Sequence, residues 1–551
     1  MNRSLSRGLS AAAGFCLLLW GLYYSSFDLW GDELISLKDY ALVDFTTTVT
    51  TYLDPNNHVL FNLLNNAVSE LLGIRDLYQA MDQVPFFRWL QWLVALGTCL
   101  YVFLIGKRFF SSSAGSLSLV FLVTCLPFLN FSMQLRGYGL SMFFAAALAY
   151  HTWSAEERRS WKDLVLVSIT AFGILYVIPS NAYFALALGL LVAWRTLRPT
   201  DESERRKPIG RRRGLLVVSA LSSGVLLALL AYSPVLTDVF NNRFVEASPG
   251  DRMFILSHRL PQVAANLASF RYLVIPIALG GFFFALRKGG RRPPGSERAT
   301  FLIGLLLLPF LFSFLRDDEA FQRTFIFLAP IFSLALGTGV SWCVQCSISR
   351  ARTRDLLAFI VAAYAFGTLG FAHTSVQARL EENLRFGIKE QTILANYYQL
   401  HGFRPSRVAL EMAKITEDQP GPILLVDELD PVSLSYYLLG QNLNSTAILS
   451  LSPSEQGERG TFTGHFQRSQ GRDEGLSFFW STMHFEEELK EGNLLAPSLA
   501  VAEGTEPSAV YYVVTAFPEM NRQFFRDQFP FMSMETVFES EGFTCLGIRP
   551  D

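Results

Sequence analysis

Charge and cysteine are both scarce in this sequence, and each shortage narrows what the chain can be. Only 17% of its 551 residues are charged against 50% hydrophobic, and its mean hydropathy is positive, which moves it from the soluble range toward the membrane class. Six cysteines are too few for a disulfide scaffold, and Cys16, Cys99 and Cys125 fall inside apolar runs, where a thiol behaves as a small hydrophobe. Cys343 and Cys346 form a CxxC at the end of an apolar helix, but no second pair accompanies them, so a structural role outweighs a metal or redox role. There is no internal repeat and no phosphate-binding glycine loop, and no nucleic-acid partner is expected. No small-residue cleavage site follows the first apolar run, which continues into FDLWGDE; the run behind Arg3 and Arg7 reads as a retained span.

What the sequence does contain is long apolar runs. A spanning helix needs about 20 mostly apolar residues, because unpaired backbone groups are costly in hydrocarbon. Eleven windows qualify: 9–26, 86–106, 113–131, 137–154, 162–178, 180–196, 214–232, 270–287, 299–315, 322–343 and 355–372. With a cytoplasmic N-terminus, every second connection is basic. These connections carry Lys107 and Arg108; Arg158, Arg159 and Lys162; eight basic residues from Arg195 to Arg213; Arg287, Lys288, Arg291, Arg292 and Arg298; and Arg350, Arg352 and Arg354. An odd number of spans then places the C-terminal region outside the cytoplasm of a multi-pass inner (plasma) membrane protein. Charge agrees with this division. Residues 372–551 hold 13 basic and 25 acidic side chains, 13 − 25 = −12, which leaves +10 for the rest of a chain whose net charge is −2.

The expected fold is an α-helical polytopic membrane domain over residues 1–372, with a first extracytoplasmic loop at 27–85, followed by an α/β domain over 373–551. In that domain GPILLVDEL (421–429) and AVYYVVTAF (509–517) read as buried strands, and VSLSYYLLG after Asp430-Pro431 reads as a helix. The stretch Leu451 to Glu474, rich in Ser, Gly, Gln and charge, reads as a loop.

The first loop is too long for a mere connector and carries two polar clusters. Trp30-Gly31-Asp32-Glu33 places an acidic pair directly after the first span. A carboxylate there is placed to take a proton from an attacking hydroxyl or amine; equally, Asp32 can cap a helix beginning at Glu33. Asp54-Pro55-Asn56-Asn57-His58 precedes VLFNLLNNAVSELLG, whose apolar residues recur at helical spacing and suit a helix lying along the interface. His58 would then sit at headgroup depth, where an imidazole can bond a phosphate or a structural partner. Arg136 and Tyr138 in QLRGYGLSM stand at the entrance of the fourth span, and Arg323 follows the acidic triplet Asp317-Asp318-Glu319. The planar guanidinium fork matches phosphate oxygens.

Taken in order, WGDE, DPNNHVLFNLL, FFRWLQWLVALGTCLYVFLIGKRFF and QLRGYGLS resemble the superfamily of protein O-mannosyltransferases and aminoarabinose transferases, glycosyltransferases of the GT-C fold and of family 39 in particular. The resemblance covers about residues 10–155, and FQRTFIFLAP resembles the family's Arg-aromatic-Pro helix. It implies transfer of a sugar from a polyprenyl-phosphate donor to an extracytoplasmic lipid, glycan or protein acceptor. Asp32 would be the base, with Glu33 in support. Asp54, Asn57, His58, Arg136, Tyr138 and Arg323 would contact substrate. At Asn56 and Asn57 the sequence departs from better-known members. No DxD triplet occurs in the first loop, and no cofactor or metal is expected. The alternatives are a transporter of lipid-linked saccharides and a non-catalytic envelope assembly protein.

Overall fold

The computed structural model describes residues 2–52, 57–158, 160–197, 211–240, 253, 255–287, 293, 295–316, 322–385, 404–419, 423–426, 431–441, 447–453, 461–468, 479–484, 511–515, 519, 522, 526, 532–540 and 543–550. Packing divides the chain into two units: Met1–Ser26 with Ile35–Thr374, and Phe27–Leu34 with Ser375–Asp551. The short stretch around Asp32 and Glu33 therefore packs with the C-terminal region.

Helix α1 (Arg3–Tyr24) starts where the Asn2 side chain accepts the Ser4 N–H. Three short helices follow: α2 (Gly31–Ser36), α3 (Phe45–Thr50), which Asp44 caps through the Thr47 N–H, and α4 (Val59–Leu72), which ends at Gly73 with φ 71°. After α5 (Leu77–Asp82) come α6 (Val84–Ile105), α7 (Ser112–Val123), α8 (Leu126–Met133), α9 (Tyr138–Glu157), α10 (Trp161–Val177) and α11 (Ala182–Leu197). Then follow α12 (Arg211–Tyr232), α13 (Leu236–Phe240), α14 (Leu260–Ala268), α15 (Val274–Leu286), α16 (Ala299–Arg316), α17 (Leu328–Ser347) and α18 (Ala351–Arg385). Each apolar window of the sequence holds a helix. Among the described residues five of these are long and apolar enough to cross a membrane, in α1, α6, α12, α17 and α18, and six if the bent pair α7–α8 is one span. The chain is a multi-pass membrane protein.

Two local features position the site. Helix α4 buries Asn62, Asn65 and Ser69 and exposes Leu64, Leu71 and Leu72. Beside Val59 and Phe61 the buried face is polar while leucines face outward, which departs from the soluble pattern and suits a helix whose free face meets lipid. The second feature is the 67° bend between α7 and α8. A break inside an apolar bundle leaves backbone groups that must find partners. The buried Arg271 supplies them, donating to the carbonyls of Phe121 (2.5 Å), Leu267 and Ala268 (both 2.8 Å) and to Thr124 Oγ1 (2.8 Å). Across the break the Leu126 N–H donates to Ser269 Oγ at 3.0 Å. This fixes the direction of α8, which leads into Arg136. Elsewhere Gly281 and Gly339 let α15 and α17 touch backbone to backbone, since a Cβ at either position would collide with the other helix.

In the other unit α19 (Pro405–Asp418) and α20 (Pro431–Leu439) accompany a seven-stranded sheet of order β4-β3-β2-β1-β5-β7-β6. Its strands are β1 (Ile423–Val426), β2 (Ala447–Pro453), β3 (Thr461–Arg468), β4 (Phe479–His484), β5 (Tyr511–Thr515), β6 (Met532–Ser540) and β7 (Phe543–Pro550). Both expected strands exist, and β1 pairs with β5 in parallel, Ile423 opposite Tyr512. One expectation is corrected: Leu451 to Glu474 is not a loop throughout, because it contains the end of β2 and all of β3, paired antiparallel from Ala447↔Arg468 to Pro453↔Phe462. Pairing with a neighbouring strand outweighs the turn-like composition of these residues.

Candidate functional site

The site forms where the first loop meets the α8–α9 junction. Asn57 closes the turn before α4: its Nδ2 donates to the carbonyls of Thr48 (3.2 Å) and Thr51 (2.5 Å), and its Oδ1 accepts from Asn62 Nδ2 (3.0 Å). Val59, next along, packs into a cluster with Tyr52, Tyr176, Tyr232 and Val235. Held on both sides, His58 is only 2% exposed, and its Nδ1 accepts the Gly137 N–H at 2.8 Å. With Nδ1 engaged as an acceptor, the neutral ring carries its proton on Nε2. Gly137 is needed for this approach: a Cβ there would lie 2.9 Å from His58 Cβ and 2.7 Å from Val177 Cγ1.

Arg136 is buried, with its guanidinium carbon 4.9 Å from the Tyr138 ring centroid, a cation–π geometry. Tyr138 also meets His58 edge-on at 5.2 Å and Phe131 at 5.0 Å. Arg323 lies in the single 3-10 turn Gln322–Phe325, which Gln322 ties to α14 by accepting from Asn266 Nδ2 (2.8 Å) and donating to Gln262 Oε1 (2.9 Å). Burial holds the His58 imidazole well below the usual histidine range, and the positive charges of Arg136 and then Arg323 push in the same direction. The arrangement is a neutral imidazole with two guanidinium groups acting on it. Such donors suit an anion with several oxygens.

Asp32 and Glu33 belong to the other unit. Helix α2 begins at Gly31, so Asp32 lies within its first turn, and it is Glu33 that serves the helix start, accepting the Trp30 N–H through Oε2 at 3.2 Å. Glu33 is fully buried, while Asp32 is partly exposed. The predicted site residues thus divide: Asn57, His58, Arg136 and Tyr138 are brought together in the helical unit, Arg323 lies in the same unit and acts on His58 through its charge, and Asp32 and Glu33 stand on the segment that packs with the C-terminal region. Asp54 and the triplet Asp317 to Glu319 lie outside the described residues. Among the described residues no group of three or more His, Cys, Asp or Glu side chains lies together.

Sequence reasoning missed the supports beneath Arg136. Arg88 donates through Nη1 to the Met133 carbonyl at 2.7 Å and lies over the Tyr24 ring at 5.3 Å. Tyr24 Oη donates to Asn130 Oδ1 at 2.6 Å, and Gln134 Nε2 donates to the same oxygen at 3.3 Å. The available signal was an arginine inside the apolar window 86–106, since ionisable residues within spans mark functional regions.

No protein-family model matches the sequence, and no curated protein matches it. Among solved structures the chain is similar to ArnT from Cupriavidus metallidurans in the apo state, with TM-score 0.49, 13% identity and 98% of each chain covered. It is similar to ArnT from Cupriavidus metallidurans bound to undecaprenyl phosphate, with TM-score 0.48 and 12% identity over 97% of this chain and 96% of that one. It is also similar to the oligosaccharyltransferase AglB from Archaeoglobus fulgidus in complex with an inhibitory peptide and a dolichol-phosphate, with TM-score 0.44 and 11% identity over 98% of this chain and 88% of that one.

Proposed function

We propose that this chain is a membrane glycosyltransferase that moves a sugar from a polyprenyl-phosphate donor to an acceptor at the extracytoplasmic face. The observation that carries the reading is the buried pair His58 and Arg136, joined around Tyr138 and acted on by the charge of the half-buried Arg323, which would present a phosphate with guanidinium donors and a neutral imidazole donor. The order of motifs from WGDE to QLRGYGLS supports the reaction type.

In this mechanism Asp32 removes the proton of an acceptor hydroxyl or amine as that atom attacks the anomeric carbon. The new glycosidic bond forms as the bond from the anomeric carbon to the phosphate oxygen breaks. Attack from the face opposite the phosphate inverts the configuration. The proton ends on Asp32, and the electron pair ends on the polyprenyl phosphate, whose added negative charge Arg136, Arg323 and the His58 Nε2–H stabilise. Glu33, engaged at the helix start, keeps the turn bearing Asp32 in place. The two guanidinium groups compensate the phosphate charge without a metal.

The test is release of free polyprenyl phosphate from a polyprenyl-phosphate hexose by the purified full chain in nanodiscs, with envelope extract as acceptor source. Asp32→Asn should slow release by about a hundredfold or more, the scale of losing a general base, with normal insertion and unfolding temperature. Release at the wild-type rate would overturn the mechanism. Movement of the intact donor across the bilayer without release would favour the transporter.

A further inference from the structure

The segment leading to Asp32 is held by residues nearly four hundred positions away. Helix α19 begins after Arg404, whose side chain makes no cap bond, so its first amides need an acceptor from elsewhere. Asp28 provides it: Oδ2 accepts the Ser406 N–H at 2.8 Å and Oδ1 accepts the Ser406 hydroxyl at 3.0 Å. A carboxylate there also meets the positive end of the helix dipole. One residue on, the Leu29 N–H donates to Tyr437 Oη of α20 at 2.9 Å. One residue back, the Arg404 guanidinium lies over the Phe27 ring at 4.2 Å. Phe27 and Leu29 are themselves buried, at 2% and 1% exposure. Three consecutive residues are therefore fixed by three different side chains of α19, α20 and the residue before α19. The next turn is closed by the Trp30 to Glu33 bond. Asp32 is a partly exposed carboxylate at the end of this clamped segment.

We infer that the C-terminal unit is a positioning device for the transfer reaction, with Asp28, Ser406 and Tyr437 setting where the Asp32 carboxylate points. This rests on Asp32 acting as the base. A base displaced by about 1 Å loses on the order of a hundredfold in rate without any loss of substrate binding. The clamp therefore acts on turnover and not on donor affinity. It also gives the C-terminal unit a reason to share a chain with the helices: its helices α19 and α20 grip the segment that carries the reactive group.

The experiment compares Asp28→Ala, Asp28→Asn and Tyr437→Phe with wild type, as full chains in nanodiscs, measuring both kcat for polyprenyl phosphate release and equilibrium binding of polyprenyl phosphate. Asp28→Ala should lower kcat by about 10- to 100-fold with donor binding unchanged. Asp28→Asn keeps an oxygen for the Ser406 N–H and should recover most of that loss. Tyr437→Phe removes the partner of the Leu29 N–H and should lower kcat less, again without changing binding. Wild-type kcat in both Asp28→Ala and Tyr437→Phe would overturn the clamp, and so would a parallel fall of kcat and donor binding, which marks general damage to the fold. If wild type binds polyprenyl phosphate but catalyses no release, the parent reading fails and the inference falls with it. That result is distinct from unchanged kcat in variants of an active enzyme.

Discussion

Acid should weaken this protein at His58. Its Nδ1 accepts the Gly137 N–H at 2.8 Å, so protonation would set a donor against a donor, and it would add a positive charge beside those of Arg136 and Arg323. Burial first, and then the charges of Arg136 and Arg323, hold the folded imidazole well below the value of about 6.5 that it has in an unfolded chain. Between those two values the unfolded chain binds a proton that the folded one refuses, so stability rises with pH. The full stability is present above about pH 6.5. As pH falls below that, about 1.4 kcal/mol is lost per pH unit, and the loss stops once the folded value is reached. His58→Asn keeps an oxygen for the Gly137 N–H but cannot take a proton, so it should flatten this part of the profile. Thermal unfolding in nanodiscs at pH 7.5, 6.5, 5.5 and 5 reads the difference between the two proteins, in which the other histidines cancel. Parallel profiles would refute the reasoning.

Two further outcomes follow from the same geometry. Gly137→Ala forces a methyl group against His58 and Val177, and should cost about 1–3 kcal/mol of stability and lower polyprenyl phosphate affinity; a variant with wild-type binding and unfolding temperature would show that the close approach does not matter. Because guanidinium groups carry the proposed charge compensation, a chelator should leave polyprenyl phosphate release unchanged, and a loss restored by Mg²⁺ or Mn²⁺ would contradict this.

The parts of the molecule legible in the sequence were those set by local pattern. Apolar length located a helix in every window, and the short Val- and Leu-rich runs at 423–426 and 511–515 became adjacent strands. Helical spacing in residues 59–72 located α4 and its outward apolar face. What escaped was set by distance. The His58–Gly137 bond joins residues 79 apart, and the Asp28–Ser406 bonds join residues 378 apart, so no window around either partner contains the other. Asp32 looked like a possible helix cap, but the capping oxygen comes from Glu33 because the helix starts two residues earlier, at Gly31. Strand β3 looked like a loop because Gly464, His465 and Gln467 are weak strand formers, and only its neighbours β2 and β4 make it extended.

The account depends most on a lipid phosphate being held beside His58 and Arg136, and equilibrium binding of a polyprenyl phosphate to the full chain in nanodiscs tests this directly. Arg136→Ala should weaken binding about tenfold or more, and Arg136→Lys, which keeps the charge but not the planar fork, should fall between. Equal affinity in wild type and Arg136→Ala would contradict the account.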